Sequence, residues 1–272
     1  MTLLLNDSEF QSISEYIKKN YGINLEKKKT LIEGRLSFYV EDLGYNSYES
    51  YFDFAKKDSS GREMENILSR LTTNHTFFLR EQEHFDIFKD NVLPWVDKVL
   101  KEKDLRVWSA GCSTGEEPYT ISMYAMEYLK HITDKINWDT TILASDISES
   151  ALTKASKGIY QSNDLSSLPE AYKNEYFTKI DNNEYQVKDF LRRNVAFKKI
   201  NLLSSFNFKK QFHTIFCRNV MIYFEAPTKT DILNKMYDLL LPGGYFFIGH
   251  SESLATLEHK FKYIKPAVYR KE

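Results

Sequence analysis

Two glycines and two adjacent glutamates in the segment "RVWSAGCSTGEEPY" (106–119) have the types and spacing of a ligand-binding loop. Gly111 and Gly115 lie between an apolar run and a helical pattern, where an α/β sheet holds a cofactor. The unpaired N–H groups and partial positive charge of a helix N-terminus favour an anion there. Glu116 and Glu117 would repel a pyrophosphate, however, so the segment predicts a ligand without phosphate.

Carboxylates in a cofactor loop favour ammonium, sulfonium or hydroxyl groups, and S-adenosylmethionine (SAM) carries all three without a phosphate. Its ribose needs an acid at the end of the next strand, and Asp146 closes the strand-like run "ILASD". We expect Glu117 to contact the cofactor and Glu116 to serve the helix start. In the alternative, structural interpretation, Ser113 or Thr114 forms a capping box with the glutamate three residues later, and Asp146 caps a helix.

The composition indicates a globular protein of 272 residues, 42% of them apolar. Its 37 basic and 38 acidic side chains leave a net charge of −1, so no overall basic field favours nucleic acid or an anionic membrane. Cys112 and Cys217 lie in separate apolar stretches, unlike the cysteines of a disulfide framework or a zinc site. No apolar run approaches the roughly 18 residues that span a bilayer. We therefore expect a soluble, cytoplasmic protein without a metal.

The elements that position these residues divide the chain into two parts. Residues 1–85 predict an all-helical N-terminal domain with its linker, and 86–272 predict an α/β domain. In the first part, Ile32, Leu36, Val40 and Leu43 are spaced for one buried helix face.

Short apolar strands alternate with helices from Leu105 onwards, which predicts βαβ units and a parallel sheet. The alternation lapses before "NNEYQVKDFLRRNVAFKKINLL", whose two strand-like runs predict a small inserted β-subdomain at about 160–202. The terminal "FKYIKPAVYRKE" predicts an antiparallel edge strand.

The chain resembles the CheR chemotaxis receptor methyltransferases, which transfer a methyl group from SAM to receptor glutamates. The shared motifs run in order through most of residues 65–255. They are "LTTNHTFFLRE", "WSAGCSTGEEPYTISM", "ASDIS", "ASKGIY", "NLL", "FHTIFCRNVMIYF" and "LLLPGGYFFIGHSESL". The resemblance implies a class I, Rossmann-like methyltransferase domain with an inserted β-subdomain, preceded by an all-helical domain. It also implies glutamyl methyl esters and S-adenosylhomocysteine (SAH) as products, and a role in chemotactic adaptation.

Site residues follow from the same resemblance, position by position. The implied cofactor contacts are Asn74, Thr76, Arg80, Glu117, Asp146, Asn201, Leu202, Arg218 and Asn219. Arg80 and Tyr223 are the catalytic candidates, as residues that would orient a carboxylate. For Arg80 the reason is that an arginine can bind a carboxylate through two parallel hydrogen bonds, which a lysine cannot do. In the alternative interpretation, "NHTFFLR" is a linker anchored by its phenylalanines, and Tyr223 is a packing residue.

Partner recognition departs from the family pattern in two places. The first departure is in a predicted helix whose start is basic, with Lys27, Lys28, Lys29 and Arg35. This basic start resembles the surface with which family members dock the cytoplasmic methylation region of receptors, but the less basic "SFYVED" follows it. In the alternative interpretation, these residues are only a solvated lysine run. The turn "IDNNEY" is shorter than the glycine-containing loop of relatives that bind a receptor tail peptide, so we expect independence of that peptide. We expect no nucleic-acid partner and no direct membrane insertion.

Other functions remain open from the sequence. A methyltransferase acting on a small molecule or nucleic acid is one, although the chain has "CRNVMIY" where amino-methylating nucleic-acid enzymes usually carry a "PPY"-type strand end. A non-catalytic adaptor that binds SAM and a receptor is another, and Arg80, Asp146 and Tyr223 argue against it. A nucleotide-dependent oxidoreductase would need the absent G-x-G-x-x-G.

Overall fold

The computed structural model describes residues 3–72, 75–99, 104–132 and 138–272, and its first part forms four helices around one apolar core. They are α1 (Asp7–Tyr21), α2 (Lys29–Asp42), α3 (Tyr48–Lys57) and α4 (Arg62–Leu71). Ile32, Leu36 and Val40 of α2 are buried as their spacing predicts, whereas Leu43 is 44% exposed. The prediction for Leu43 is wrong because α2 has already ended, so this residue leaves the buried face.

The second part contains the remaining helices of the described chain. One continuous helical segment consists of α5 (Glu83–Ile87), a π-helical turn (Phe88–Val92) and α6 (Leu93–Val99). The others are α7 (Glu116–Lys130), α8 (Glu149–Lys157), α9 (Glu170–Tyr176), α10 (Asp189–Arg192) and α11 (Ala226–Leu239). Short 3₁₀ turns lie at Ser162–Leu165 and Met221–Tyr223.

Ten strands in the described ranges form two sheets. They are β1 (Val107–Ala110), β2 (Ile142–Asp146), β3 (Ile159–Gln161), β4 (Phe177–Lys179), β5 (Glu184–Val187), β6 (Val195–Lys199), β7 (Phe212–Phe216), β8 (Leu240–Phe247), β9 (Lys262–Lys265) and β10 (Val268–Arg270). The larger sheet has the order β6-β2-β1-β7-β8-β10-β9, and its first five strands are parallel. Successive residues of β1, Val107 and Trp108, belong to different apolar clusters, so each cluster covers one face of this sheet.

The strand order of the larger sheet determines where a ligand crevice lies. From β1, the chain first builds outward through β2 and β6, and then crosses to the other side of β1 to form β7 and β8. This reversal leaves a crevice beyond the carboxyl ends of the central strands, where α/β sheets bind their ligands. The loops after β1, β2 and β7 all begin there.

The smaller sheet, of order β3-β5-β4, is the inserted β-subdomain that the sequence predicts. Val195–Lys199, expected within the insertion at about 160–202, instead pairs in parallel with β2 and forms the edge of the larger sheet. The pairing runs from Ile142 with Val195 to Asp146 with Lys199, and local sequence does not encode such a non-local register. The expected end of the insertion is therefore too late.

The C-terminus forms a hairpin where the sequence predicts a single antiparallel edge strand. β10 pairs antiparallel with β8, and β9 then pairs antiparallel with β10 and becomes the edge. A turn that includes Ala267 at φ +60° reverses the chain between the two strands. The hairpin lies away from the crevice in the strand order, so it supports the sheet and not the site.

The linker before α5 packs on the α/β part of the chain. Phe78 is fully buried and joins the apolar cluster that contains Phe85 and Phe88, whereas Phe77 is 41% exposed. One phenylalanine, not both, therefore anchors the segment that carries Arg80. The domain boundary at residue 85 stays a prediction.

Candidate functional site

A cavity of about 280 Å³ lies where the linker, the larger sheet and the helical part meet. Nine of the ten residues predicted for cofactor binding or catalysis line it. They are Thr76, Arg80, Glu117, Asp146, Asn201, Leu202, Arg218, Asn219 and Tyr223. Asn74, the tenth, lies outside the described residues. The fold thus brings together residues from distant parts of the sequence, and their individual roles stay predictions.

The loop between β1 and α7 forms one wall of the cavity and depends on its glycines. Gly111 has φ +83°, and a Cβ there would lie 2.3 Å from Val220 Cγ2. Gly115 is the N-cap of α7 and has φ +98°, and a Cβ there would lie 2.8 Å from Ala155 Cβ. Any side chain at either position would meet both backbone strain and a steric clash, so the turn requires both glycines.

Asp146 ends β2 with a carboxylate that lines the cavity and is held from two sides. Its Oδ2 accepts the Ser113 N–H at 2.8 Å, and its Oδ1 accepts the Ser148 N–H at 2.9 Å. Burial raises the pKa of this carboxyl above its ordinary value. The N-cap of α8 is Ser148, so the helix-cap alternative for Asp146 is wrong. Each carboxylate oxygen has a further lone pair with which to accept a hydroxyl group.

The adjacent glutamates lie in different environments. Glu117 lines the cavity, and it accepts the Ser109 hydroxyl at 2.7 Å and Arg218 Nη1 at 3.1 Å. Burial raises the pKa of Glu117, although the positive charge of Arg218 opposes this shift. Glu116 is buried and accepts the Thr114 hydroxyl. The capping-box alternative is wrong, because the N-cap of α7 is a glycine without a capping side chain.

Arg218 connects the linker to the glycine loop. Its side chain is 2% exposed, and it donates to Glu81 Oε2 from Nη2 at 3.0 Å and to Glu117 Oε2 from Nη1 at 3.1 Å. It also donates to the carbonyl oxygen of Arg80. The Phe85 ring centre lies 5.1 Å from the guanidinium carbon. A buried arginine shared between two carboxylates fixes the relative positions of three chain segments.

Glu81 is a site residue that the sequence did not reveal. Beyond its ion pair with Arg218, it accepts the backbone N–H of His250 at 3.2 Å through Oε1. Burial alone would raise the pKa of Glu81, but the charge and hydrogen bonds of Arg218 lower it overall. Glu81 ends the shared motif "LTTNHTFFLRE", but the motif does not indicate its role, because the partner arginine lies 137 residues later.

Glu81 also belongs to a group that has the donor atoms of a metal site. The ligand atoms of Glu81, His84 and His250 lie within 4.8 Å of one another. Burial lowers the pKa of His84 to about 3, and its ring nitrogens have no hydrogen-bond partner among the described residues. The Glu81 oxygen 3.4 Å from His84 Nδ1 already accepts from Arg218. A cation here would lie beside a guanidinium, so we assign no metal to this group.

Arg80 lines the cavity from the linker, together with Thr76. Among the described residues, its guanidinium donates one hydrogen bond, from Nη1 to the His75 carbonyl at 2.8 Å. Its guanidinium carbon lies 5.9 Å from the Phe77 ring centre. A guanidinium has five N–H donors in a planar fork, a geometry that suits a carboxylate bound in the cavity.

The loop after β7 carries Arg218, Asn219 and Tyr223. Asn219 has φ +59°, a left-handed conformation that asparagine tolerates better than most residues. Glu252, a second residue that the sequence did not reveal, accepts the N–H groups of Asn219 at 2.9 Å and Gly249 at 2.6 Å. Tyr223 is partly buried and packs against the core of the four helices. The loop is therefore held from the sheet side by Glu252 and from the helical side by packing.

Asn201 and Leu202 follow β6 and complete the predicted set. Asn201 Nδ2 donates to the Asn20 carbonyl at 3.1 Å, and its Oδ1 accepts the Leu203 N–H at 3.0 Å. Leu202 is buried. Asn201 thus joins the cavity wall to the end of α1.

The basic residues predicted for receptor docking lie in and just before α2. They are Lys27, Lys28, Lys29 and Arg35. Lys29 Nζ pairs with Asp7 at 2.6 Å, and Arg35 Nη1 donates to the carbonyls of Arg70 at 2.9 Å and Thr72 at 3.0 Å. Part of the predicted basic surface is therefore engaged within the helical part itself.

The charges at the cavity favour a ligand with a net positive charge. Arg80 and Arg218 face the carboxylates of Glu117 and Asp146, and Glu81 behind Arg218 adds a third carboxylate. When ionised, these five side chains carry a net charge of about −1. A pyrophosphate would be repelled by this set, whereas SAM, with a sulfonium, an ammonium and one carboxylate, complements it.

Comparison with known proteins identifies similar sequences over both parts of the chain. The family model "CheR methyltransferase, all-alpha domain" matches residues 8–72, and "CheR methyltransferase, SAM binding domain" matches residues 74–270. The chain is 40% identical to a chemotaxis protein methyltransferase of Borreliella burgdorferi, over 100% of this chain and 96% of that protein. It is 35% identical to a chemotaxis protein methyltransferase of Escherichia coli, over 98% of this chain and 92% of that protein.

Proposed function

Because this chain belongs to the CheR family of chemotaxis methyltransferases, we propose that it methylates glutamate side chains of chemotaxis receptors. It is a SAM-dependent methyltransferase with an all-helical N-terminal domain and an α/β domain that carries a small β-subdomain. The products of the proposed reaction are glutamyl methyl esters and SAH, and the reaction serves chemotactic adaptation.

The observation that carries this proposal is the set of charges in one cavity: the Glu117 carboxylate in the first turn of α7, the Asp146 carboxylate at the end of β2, and Arg80 on the linker. Asp146 has lone pairs for the two ribose hydroxyls, and Glu117 complements the ammonium group. Arg80 complements a carboxylate, either that of the cofactor or that of the substrate. The residues therefore fit SAM in both charge and hydrogen-bonding capacity.

The mechanism that these residues support needs positioning and no general base. When bound, SAM supplies a methyl group on a sulfonium that a carboxylate can attack directly. A glutamate side chain with a pKa near 4.3 is already ionised at neutral pH. Alignment of nucleophile and methyl group by Arg80 and Tyr223 can supply on the order of 7–11 kcal/mol. Removal of water from the attacking carboxylate adds to this.

Carboxylates neutralise part of the arginine charge at the cavity, and this suits a reaction in which the substrate carboxylate and the sulfonium both lose their charge. Anion and sulfonium neutralise each other as the methyl group moves, so a strongly positive site would hold the ionic substrate too tightly. Glu81 and Glu117 balance the charge of Arg218, which leaves Arg80 as the main positive group that lines the cavity. The proposed transfer step uses no metal.

Replacement of Tyr223 by phenylalanine is expected to lower kcat by about tenfold, or ~1.4 kcal/mol, because an orienting hydroxyl is lost. SAH affinity should change little, since the ring still packs against the helical core. Steady-state kinetics and calorimetry on the variant separate the two effects. Turnover equal to that of the wild type would assign Tyr223 to packing alone.

Cofactor affinity is expected to fall as the pH falls. Burial raises the pKa values of Glu117 and Asp146, so these carboxyls gain protons at a higher pH than free carboxyls do. If the ligand binds only the ionised forms, binding must release these protons. The Kd for the ligand then rises by up to about tenfold for each unit by which the pH falls, for each such carboxyl. Calorimetric Kd values for SAH between about pH 8 and about pH 5 test this, and a Kd independent of pH would contradict it.

The proposed partner is the cytoplasmic methylation region of a chemotaxis receptor, contacted through Lys27, Lys28 and the start of α2. We further propose independence of a receptor tail peptide, because the turn between β4 and β5 spans only residues 180–183. Calorimetry with tail peptides tests this point, and micromolar binding would contradict it. Within the described ranges, no helix combines the length and apolar character needed to cross a membrane. We propose a cytoplasmic location, with neither nucleic-acid binding nor membrane insertion.

The modified residue type tests the proposed reaction. Receptor cytoplasmic fragments incubated with SAM and the enzyme are digested and sequenced by mass spectrometry. We expect added methyl groups on glutamate side chains and none after omission of SAM. Methylation confined to lysine or arginine side chains would contradict the proposed substrate class.

A further inference from the structure

The turn that ends α1 belongs to the helical domain and also forms part of the cavity wall. Tyr21 and Ile23 both line the cavity. Ile23 is 4% exposed and belongs to the core of the four helices, whereas Tyr21 is half-buried. The helical domain therefore contributes side chains to a site whose other walls come from the linker and the sheet.

The turn forms hydrogen bonds to the residues on either side of Phe224, in the loop that carries the catalytic candidate Tyr223. The N–H of Asn24 donates to the Tyr223 carbonyl at 2.8 Å, and Asn24 Nδ2 donates to Glu225 Oε1 at 3.1 Å. Lys18 Nζ, on the last turns of α1, pairs with the same Glu225 oxygen at 2.7 Å. These three contacts hold the segment around Tyr223 against the helical domain.

The predicted cofactor contact Asn201 is held by the same turn. The Asn20 carbonyl accepts Asn201 Nδ2 at 3.1 Å. Between Asn20 and Asn24, Gly22 approaches the α/β domain so closely that a Cβ on it would lie 2.9 Å from Leu203 Cδ2 and 3.0 Å from Phe224 Cδ1. The turn thus fits tightly between the segments that carry Asn201 and Tyr223.

From these contacts we propose that the turn 20–24 is a positioning element of the SAM site, which places Tyr223 and Asn201 and closes the cavity with Tyr21. The proposal rests on the proposed function of the cavity. It gives the helical domain a part in cofactor binding and turnover in addition to receptor docking. By linkage, SAM binding and the packing of the helical domain on the sheet then stabilise each other.

Two glycines of the helical domain provide a matched test. Gly22 has φ +73° and ψ −5°, and Gly61 has φ +70° and ψ 0°, so alanine meets the same backbone strain at either position. A Cβ on Gly61 would have no atom within 4 Å, whereas a Cβ on Gly22 would force either the turn or the side chains of Leu203 and Phe224 to shift. A difference between Gly22→Ala and Gly61→Ala therefore reports the contact with the α/β domain.

Calorimetry with SAH and steady-state methylation on the full chain supply the readouts. We expect Gly22→Ala to raise the Kd for SAH by about tenfold and to lower kcat by a similar factor, while Gly61→Ala stays within about twofold of the wild type. Equal Kd and kcat in the two variants would overturn the proposal. A wild-type chain that binds no SAH would instead overturn the proposed function on which it rests.

A second pair of variants keeps the test decisive if Gly22→Ala fails to fold. Tyr21 is half-buried and packs against the edge of the helical core, so Tyr21→Ala removes a cavity wall at a smaller cost to that core than truncation of a fully buried residue. We expect a Kd for SAH about fivefold higher in Tyr21→Ala, and restoration of wild-type affinity in Tyr21→Phe, which keeps the ring. Equal Kd values for the alanine and phenylalanine variants would overturn the role of this turn.

Discussion

Replacement of Arg80 by alanine is expected to lower kcat/KM for receptor methylation by about 100-fold or more, which corresponds to ~2.7 kcal/mol. The Arg80 guanidinium lines the cavity, and its planar fork of N–H donors suits a bound carboxylate. Without it, that carboxylate would lie in a partly dry cavity without a charged partner, which costs about 3–5 kcal/mol in fully buried pairs.

Arg70→Ala is the matched control for this variant. Arg70 is also an arginine over an aromatic ring, with its guanidinium carbon 3.8 Å from the Tyr39 ring centre, but it is exposed at the end of α4. We expect near wild-type kcat/KM in the control and similar melting temperatures in both variants. Wild-type SAH affinity together with wild-type turnover in Arg80→Ala would contradict the role assigned to Arg80.

Replacement of Asp146 by alanine is expected to weaken SAH binding by about 100-fold or more. The carboxylate is placed to accept two ribose hydroxyls, and it already accepts the N–H groups of Ser113 and Ser148. Alanine would remove the ribose contacts and leave both N–H groups without this acceptor, at about 1–3 kcal/mol for each buried group. The glycine loop would also lose its side-chain hydrogen bond to the end of β2, although the N–H groups of Gly111 and Cys112 would still donate to the Ser145 carbonyl.

Asp139→Ala is the matched control, because Asp139 accepts the Thr141 N–H two residues later, just as Asp146 accepts the Ser148 N–H. Asp139 lies before β2 and is exposed, away from the cavity. Calorimetry should give wild-type affinity for the control. A Kd for SAH in Asp146→Ala within about threefold of that control would remove Asp146 from the cofactor site.

The parts of the site that could be predicted from the sequence are those encoded locally. Glycines between a strand and a helix, two glutamates at the helix start and an aspartate at the next strand end all lie within short windows. Glu117 and Asp146 therefore emerge from the residues themselves, and the family resemblance adds Arg80, Arg218 and Tyr223. All of these line one cavity.

The parts that could not be predicted depend on long-range contacts. Glu81 acquires its place by pairing with Arg218, and Glu252 acquires its place by accepting N–H groups from a loop 33 residues earlier in the chain. The run Val195–Lys199 has the composition of a strand, but composition does not say which sheet it joins. The sequence of the turn 20–24 indicates only the end of a helix. Its relation to the cavity depends on its packing against Phe224, which the sequence does not show.

The central claim, methyl transfer from SAM to receptor glutamates, is tested most directly by the chemistry of the product. Receptor cytoplasmic fragments are incubated with the enzyme and with SAM radiolabelled in its methyl group, and are then treated with alkali. We expect receptor-bound label that alkali releases as methanol, as carboxyl methyl esters require, and strongly reduced label with Arg80→Ala. Label that resists alkali, or no transfer to the receptor by an enzyme that binds SAH, would contradict the account.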